Sequence, residues 1–220
     1  MRRLLDLGPA PQRRGARAHL RSLLDVHDPD ALLRADLPWW TYRATDAADA
    51  LLAERGGQAR AFEYGSGAST VWLARRCSSV VSVEHDREWA SLVRARLDPA
   101  ADVQLHLVPG VPATAPDAVL SGRREAAGLD FADYVRTIDR VGGLYDVVVV
   151  DGRARTACLA AALPHLAEDG FIVFDNTHRR RYASALSACP LPLRRYRGAA
   201  PGLPYPEETS LLGGARALPC

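Results

Sequence analysis

From about residue 41 onward the chain alternates short apolar runs with amphipathic stretches, and the period of each run decides its element. Thr41 to Arg55 reads as a helix stopped by Gly56-Gly57 in the usual C-terminal position. Ala59 to Tyr64 is a short strand, followed by a turn at Gly65-Ser66-Gly67 and a helix from about Ala68 to Arg76. Val80 to Glu84 is a β-branched strand. Asp86 to Leu97 is a helix, with Trp89, Leu92, Val93 and Leu97 at helical spacing. Val103 to Val108 is a third strand, and Pro109 to about Gly128 is loop-like, long enough to be a cover over a site or to hide a helix. Asp130 to Val141 reads as a helix with Asp130 as its N-cap. Leu144 to Val150 contains four consecutive valines and predicts a strand buried on both faces, as in the centre of a parallel sheet. Thr156 to Ala167 is a helix, Gly170 to Phe174 a strand and Arg179 to Ala188 a helix. About Leu191 to Arg197 and Glu208 to Leu212 are two weak strands suited to an antiparallel hairpin. Repeated strand–helix units imply a doubly wound α/β sheet with right-handed crossovers.

Ahead of this pattern, residues 1 to about 37 are rich in Arg and Leu with scattered Pro and read as an irregular or helical preface, broken from the rest at Leu37-Pro38-Trp39-Trp40. The 220 residues suffice for one α/β domain with a core that needs no disulfide or metal. A hydrophobic fraction of 48% and a charged fraction of 25% place the chain with ordinary globular proteins, and a net charge of +2 demands no polyanionic partner. All 28 basic residues are Arg. Without Lys, a Schiff base, a P-loop and any Lys general base are excluded. Cys77, Cys158, Cys189 and Cys220 lie far apart with no C-x-x-C pair, which favours reduced thiols over a zinc site. The N-terminus has no apolar h-region, and no apolar run approaches the ~20 residues of a membrane span. A soluble, cytoplasmic protein with no membrane partner is expected.

In open α/β sheets a ligand sits beyond the carboxyl ends of the strands, beside the first of them. That place is Phe62-Glu63-Tyr64-Gly65-Ser66-Gly67-Ala68-Ser69-Thr70. The glycines let the backbone turn sharply and approach a ligand, and the following helix offers free N–H groups. Glu63 stands two residues before the first glycine, placed to reach a cationic group, and the second strand ends in Glu84, placed to accept hydrogen bonds from ribose hydroxyls. Thr70 stands where a dinucleotide fingerprint has its third glycine. A pyrophosphate needs that close approach; the amino-acid end of S-adenosylmethionine does not.

On these residues the chain resembles the class I S-adenosylmethionine-dependent methyltransferases over roughly residues 59 to 213. Glu63-x-Gly65-x-Gly67 is similar to their first motif and Val83-Glu84 to the acidic end of their second strand. The resemblance implies a Rossmann-like, seven-stranded, mainly parallel sheet with helices on both faces and a C-terminal antiparallel hairpin. It also implies that Glu63, Gly65, Ser66 and Gly67, with Ser69 and Thr70 of the helix start, surround the methionine moiety, that Glu84 binds ribose, and that His85 lies near the adenine edge. Residues 1–58 then form an N-terminal helical segment and candidate substrate lid, and residues 59–220 the cofactor-binding domain.

A second constellation is Asp151-Gly152-Arg153 after the fourth strand and Asp175-Asn176 after the fifth, both on the catalytic edge. An Asp followed by an Asp-Asn resembles the divalent-cation site of catechol-type and caffeoyl-coenzyme-A-type O-methyltransferases, which would make Asp151, Asp175 and Asn176 ligands of Mg²⁺. The Lys that serves as base in that family, three positions after its Asp, is here Ala154, with Arg155 next. The alternative is that Asp151 faces cofactor or substrate directly and Asp175 caps the next helix. His178, just after Asp175-Asn176, is the candidate proton acceptor beside Asp151 as catalytic groups. Arg153, Arg155 and Arg179-Arg180-Arg181 are either a clamp for an anionic substrate or a solvated helix face. Trp39 and Trp40 either cover the cleft or anchor the N-terminal segment in the core.

The expectation is O-methylation, or N-methylation, of a small-molecule acceptor. The Asn/Asp-Pro-Pro-Tyr/Phe signature of amide N-methyltransferases is missing, and so is a basic-aromatic stretch, which weighs against nucleic acid. A homo-oligomer is left open. The rival readings are an NAD-dependent oxidoreductase, which would want a third glycine and a Tyr-x-x-x-Lys pair, and a non-catalytic accessory member of the same fold.

Overall fold

The computed structural model describes residues 37–213 and, ahead of them, His19, Leu23 and Leu33. The preface expected over residues 1 to 37 therefore falls almost wholly outside the described residues, as does Cys220. Helix α1 spans Tyr42–Ala53. The sheet strands are β1 (Arg60–Tyr64), β2 (Ser79–Glu84), β3 (Val103–Leu107), β4 (Tyr145–Val150), β5 (Leu166–Asp175), β6 (Leu193–Gly198) and β7 (Glu207–Gly213). Between them lie α2 (Ala68–Ala74), α3 (Arg87–Arg94), α4 (Ala132–Val135), α5 (Thr137–Val141), α6 (Arg155–Ala162) and α7 (Ala183–Ala188). The sheet has seven strands in the order β3-β2-β1-β4-β5-β7-β6. Strands β3 to β5 run parallel, and β7 is antiparallel to both β5 and β6. Between β1 and β4 the strand order reverses, so the chain leaves the sheet there in opposite directions and opens a crevice at the strand ends.

The four valines of β4 explain why the sheet is covered twice. Val148 and Val150 join Phe62, Tyr64, Ile172 and Phe174 under Phe131, Tyr134, Ile138 and Leu159. Val147 and Val149 join Ala61, Phe171 and Leu211 under Trp40, Ala48, Leu52 and Trp72. Every one of the four is fully buried, and each such side chain contributes on the order of 1.5–3 kcal/mol over remaining in water. Helix α1 closes the second layer. Its cap Thr41 accepts from Ala44 N–H at 3.4 Å and donates to the Tyr196 carbonyl at 3.2 Å, while its own N–H donates to Thr209 Oγ1 at 3.1 Å. The N-terminal helix is thereby fastened to β6 and β7.

The structure departs from the pattern reading where local chemistry interrupts a period. The helix expected over Asp130 to Val141 is two short helices parted at Arg136. The N-cap is Phe131 and not Asp130, which stands one residue earlier in a two-residue strand, Leu129–Asp130, paired with Val111–Pro112; its Oδ1 accepts from Ala132 and Val119 N–H at 2.8 and 2.9 Å and so holds the turn into the helix. The loop from Pro109 to Gly128 contains that pairing and a 3₁₀ turn over Arg124–Ala126. Pro164 converts the end of the helix after β4 into a 3₁₀ turn, Leu163–His165. Strand β5 starts at Leu166 rather than Gly170, because Tyr145 pairs with Leu166 and Val147 with Phe171, leaving the residues between as a bulge. Among the described residues no helix is long and apolar enough to cross a membrane.

Candidate functional site

The C-terminal ends of β1, β2, β4 and β5 open into one cleft of about 450 Å³. One wall runs through Gly65 to Ser69, Glu84 to Asp86 and Trp89; the other through Asp151 to Arg153, Arg155, Asp175, Asn176 and Glu207. Trp39, Arg123, Arg179, Leu203 and Tyr205 complete the lining.

The first wall is built from hydrogen bonds within a short stretch of chain. Gly65 has φ +97°, and a Cβ there would stand 2.6 Å from Gly152 Cα, so only glycine lets the β1 and β4 turns touch backbone to backbone. Thr70 Oγ1 accepts from Gly67 N–H at 2.8 Å and donates to Glu63 Oε2 at 2.5 Å. That explains a hydroxyl where a dinucleotide fold has glycine: it caps the turn. Ser69 Oγ donates to Glu63 Oε1, and Ser82 Oγ, opposite Glu63 in the β1–β2 ladder, donates to Oε2 at 2.7 Å. Glu63 is fully buried, and burial pushes its carboxyl up to about 7 against the pull of those three hydroxyls and with a smaller push from Asp151. It lies beneath the turn and not on the cleft wall, as does Thr70.

Glu84 does face the cleft. Its Oε2 accepts from Ser66 N–H and Oγ, both at 3.1 Å, and its Oε1 from His85 and Asp86 N–H at 2.7 and 2.9 Å. His85 stands beside it, with Nδ1 2.5 Å from Glu84 Oε1 and Nε2 accepting from Arg153 Nε at 2.9 Å. Trp89 Nε1 donates to the Ser66 carbonyl at 2.8 Å and brings its ring under that of Trp39, 5.8 Å away. Trp40 is fully buried against Trp72. Of the two tryptophans, one lines the cleft and the other anchors the core.

The second wall is organised by a buried guanidinium. Arg155, whose side chain is 2% exposed, donates from Nε to the Gly152 carbonyl at 3.1 Å and from Nη2 to both the carbonyl and Oδ1 of Asp151, at 2.7 and 2.6 Å. From Nη1 it donates to the Asp175 carbonyl at 2.6 Å and to Asn176 Oδ1 at 3.2 Å, and Asp175 Oδ2 lies 3.8 Å away. Asp175 Oδ1 accepts from Thr209 Oγ1 at 2.7 Å. Burial raises both carboxyls. For Asp175 it does so to about 7, helped by the charge of Asp151, with Arg155 and Thr209 pulling the other way. Asp151 is raised by burial against the pull of Arg155, Arg123 and Arg179.

The same geometry tests the divalent-cation reading. Asp151, Asp175 and Asn176 are brought together as expected, but the donor set does not fit Mg²⁺. Asp151 Oδ1 and Asn176 Oδ1 already accept from Arg155, Asn176 Nδ2 donates to Glu207 Oε2 at 3.1 Å, and a fixed positive charge fills the space between the acids. Among the described residues no group of three or more His, Cys, Asp or Glu is arranged to hold a metal. His178 is not on the cleft wall. Its Nδ1 lies 3.2 Å from Glu207 Oε2 and its ring is 43% exposed, so the residue facing the cleft there is Glu207. Pattern reading missed Glu207, Arg123, Leu203 and Tyr205, which reach the site from loops and from the start of β7; it named Gly152 within Asp151-Gly152-Arg153 but not its close packing, where an added Cβ would meet the Tyr134 hydroxyl at 2.0 Å. The Asp-Gly after a valine-rich strand was the available signal for that glycine.

Residues 62–177 match a family model described as a methyltransferase domain. Among solved structures, the chain is similar to the O-methyltransferase TomG from Streptomyces achromogenes, involved in tomaymycin synthesis and solved in complex with SAM. That likeness has a TM-score of 0.57 and 21% identity and covers 91% of each chain. A similar fold occurs in an rRNA methylase from Streptococcus thermophilus (TM-score 0.55, 11% identity, 77% of this chain and 95% of that one). It also occurs in TrmN from Thermus thermophilus (TM-score 0.53, 16% identity, 84% of this chain and 52% of that one). At these identities the likeness is one of fold. No curated protein matches the sequence.

Proposed function

The chain belongs to the methyltransferase-domain family, as a class I S-adenosylmethionine-dependent enzyme, and we propose that it methylates a hydroxyl oxygen of a small molecule. One observation carries the proposal: two acids, Asp151 and Asp175, share a cleft with the glycine turn, one of them with its carboxyl poised near neutrality.

The first wall fits the cofactor by the chemistry of its donors. The backbone of Gly65 to Gly67 with Ser66 and Ser69 would hold the amino-acid end, Glu84 the ribose hydroxyls, and His85 the adenine edge. When bound, the cofactor supplies a methyl carbon whose bond to positive sulfur breaks as the new oxygen–carbon bond forms, leaving a neutral thioether. Glu63 acts here from below, holding Ser69 and Thr70 so that the turn keeps its shape. The protein's work is alignment and exclusion of water. Asp151, fixed by two bonds from Arg155, orients the acceptor hydroxyl, and Asp175 takes its proton, since a general base works best with a pKa near the operating pH. Trp39 at the cleft supports a covering role for the part of the segment 1–58 just ahead of α1, while α1 itself packs into the core of the catalytic domain proposed for 59–220. Arg123 and Arg179, close enough to Asp151 to lower its pKa, suit an acceptor that also carries a carboxylate or phosphate.

Thermal shift tests the reading. S-adenosylhomocysteine and S-adenosylmethionine raise the melting temperature by mass action, and NAD does not. Product S-adenosylhomocysteine then accumulates, by mass spectrometry, with hydroxylated carboxylic acids or phosphates as acceptors. Stabilisation by NAD alone overturns the cofactor assignment, and methylation of RNA in place of every small acceptor overturns the acceptor class.

A further inference from the structure

We infer that Arg155 is a built-in substitute for a divalent cation, so that the acids at the ends of β4 and β5 are clamped by a covalently attached charge and this site works without metal. The inference rests on the proposed methyl-transfer reading and assigns the site's positive charge to the chain itself.

Three observations support it. All five N–H groups of the guanidinium are used: one on Gly152, two on Asp151, one on Asp175 and one on Asn176. A side chain so saturated has no donor left for substrate, so Arg155 is a positioning residue whose partners are the residues that touch the cleft. Its charge is secure as well. Burial pulls the guanidinium pKa down, but Asp151 and Asp175, with Tyr182 and Tyr134 adding to them, leave it raised. Finally, the backbone is bent on both sides of it. Ala154 (φ 47°) and Asn176 (φ 58°) are the two non-glycine residues with positive φ among the described residues, and they flank the guanidinium on the two strand-end turns. Asn adopts that region readily, whereas at Ala154 it carries strain that the surroundings must offset. Here Ala154 directly precedes α6 and Arg155 opens it, and the side chain turns back under the strand ends instead of leaving along the helix.

In a hydrated-cation site, oxygen ligands surround the ion and exchange with solvent, and substrate oxygens enter its coordination shell. Here the carbonyls of Asp151, Gly152 and Asp175 and the side chains of Asp151 and Asn176 converge on a planar cation that cannot leave. A dication placed among them would face the guanidinium at the same carboxylates. Acceptor orientation therefore depends on the outward oxygens of the two acids and not on a metal bridge.

The test uses the full chain with S-adenosylhomocysteine bound, so that cofactor binding is its own control. Titration with Mn²⁺ is followed by electron paramagnetic resonance, and cofactor affinity is measured in Mg²⁺ and in EDTA. The free Mn²⁺ signal is expected to stay undiminished at millimolar metal, with affinities in Mg²⁺ and EDTA agreeing within twofold. In Arg155→Ala, checked for folding by circular dichroism, the freed carboxylates are expected to take up Mn²⁺. Stoichiometric Mn²⁺ on the wild-type protein, abolished by Asp175→Asn, overturns the inference, as does a folded Arg155→Ala that binds none. Where Arg155→Ala does not fold, the wild-type titration decides. Failure of S-adenosylhomocysteine to bind at all counts against the methyl-transfer reading and is distinct from either result.

Discussion

The two walls of the cleft hold their acids in opposite ways. At the ends of β1 and β2, Glu63 is turned inward onto three hydroxyls and Glu84 is braced by backbone N–H groups, so shape is set by neighbours in sequence. At the ends of β4 and β5, Asp151 and Asp175 face the cleft, and one side chain, Arg155, ties the two turns together, with Thr209 holding the second carboxylate. The first arrangement suits a ligand that is always the same. The second keeps carboxylate oxygens available for chemistry. It is the difference between a mould and a clamp.

The largest effect is expected where the walls meet. Gly65→Ala and Gly152→Ala each drive a methyl group into backbone or into the Tyr134 hydroxyl. Each should lose about 3 kcal/mol or more, read by urea unfolding; a loss below about 1 kcal/mol in either shows that the walls are not in contact. Next, Asp175→Asn should lower kcat about 100-fold, the low end for removal of a general base, and leave S-adenosylhomocysteine affinity within about twofold. In the wild type, kcat should rise through about pH 7 as Asp175 ionises. Equal losses in turnover and cofactor affinity would erase the contrast between the walls.

Glu63 gives a subtler effect on stability. Its folded carboxyl is raised from 4.5 to about 7, so the native state holds the proton more tightly than the unfolded chain. That stabilisation is complete below about pH 4.5, declines as pH rises, and is gone above about pH 7. Asp175 contributes in the same window, so the comparison is Glu63→Gln against wild type, and unfolding free energy should fall less steeply with pH in the variant. Trp89→Phe removes the bond to the Ser66 carbonyl and should weaken cofactor binding about fivefold, near 1 kcal/mol. His178→Ala should change turnover less than twofold, because Glu207 stands between it and the cleft; a larger loss returns the imidazole to the mechanism.

This contrast also governs what could be read from the sequence. The first wall lies in one continuous stretch, Glu63 to Thr70, with its ladder partner Ser82 and the strand end Glu84, so motif spacing and strand order were enough to locate it. Even there, spacing could not tell that Glu63 points down and Glu84 out, because the direction of a side chain depends on which ladder partner offers a donor. Repeated strand–helix units and the valine run of β4 predicted a doubly wound sheet, the count of seven strands came from the resemblance to class I methyltransferases, and the strand order came from the structure. Arg155 was legible as a clamp for an anionic substrate, not as the clamp on Asp151 and Asp175 that the structure shows. Its reach depends on the left-handed turn at Ala154 and on the alignment of β4 with β5, neither of which composition or period encodes. Tyr205 comes from a Pro- and Gly-rich connection, and Glu207 from the strand start at its end, more than 25 residues beyond Asp175, where no period points back to the cleft.

The backbone contact between Gly65 and Gly152 makes the two turns one mechanical unit. Remodelling the strand ends to suit a new acceptor would deform the cofactor's seat at the same time. Diversification of acceptor choice is thereby channelled outward, to Trp39, Arg123, Leu203 and Tyr205, whose loops can be rewritten one at a time without moving either glycine.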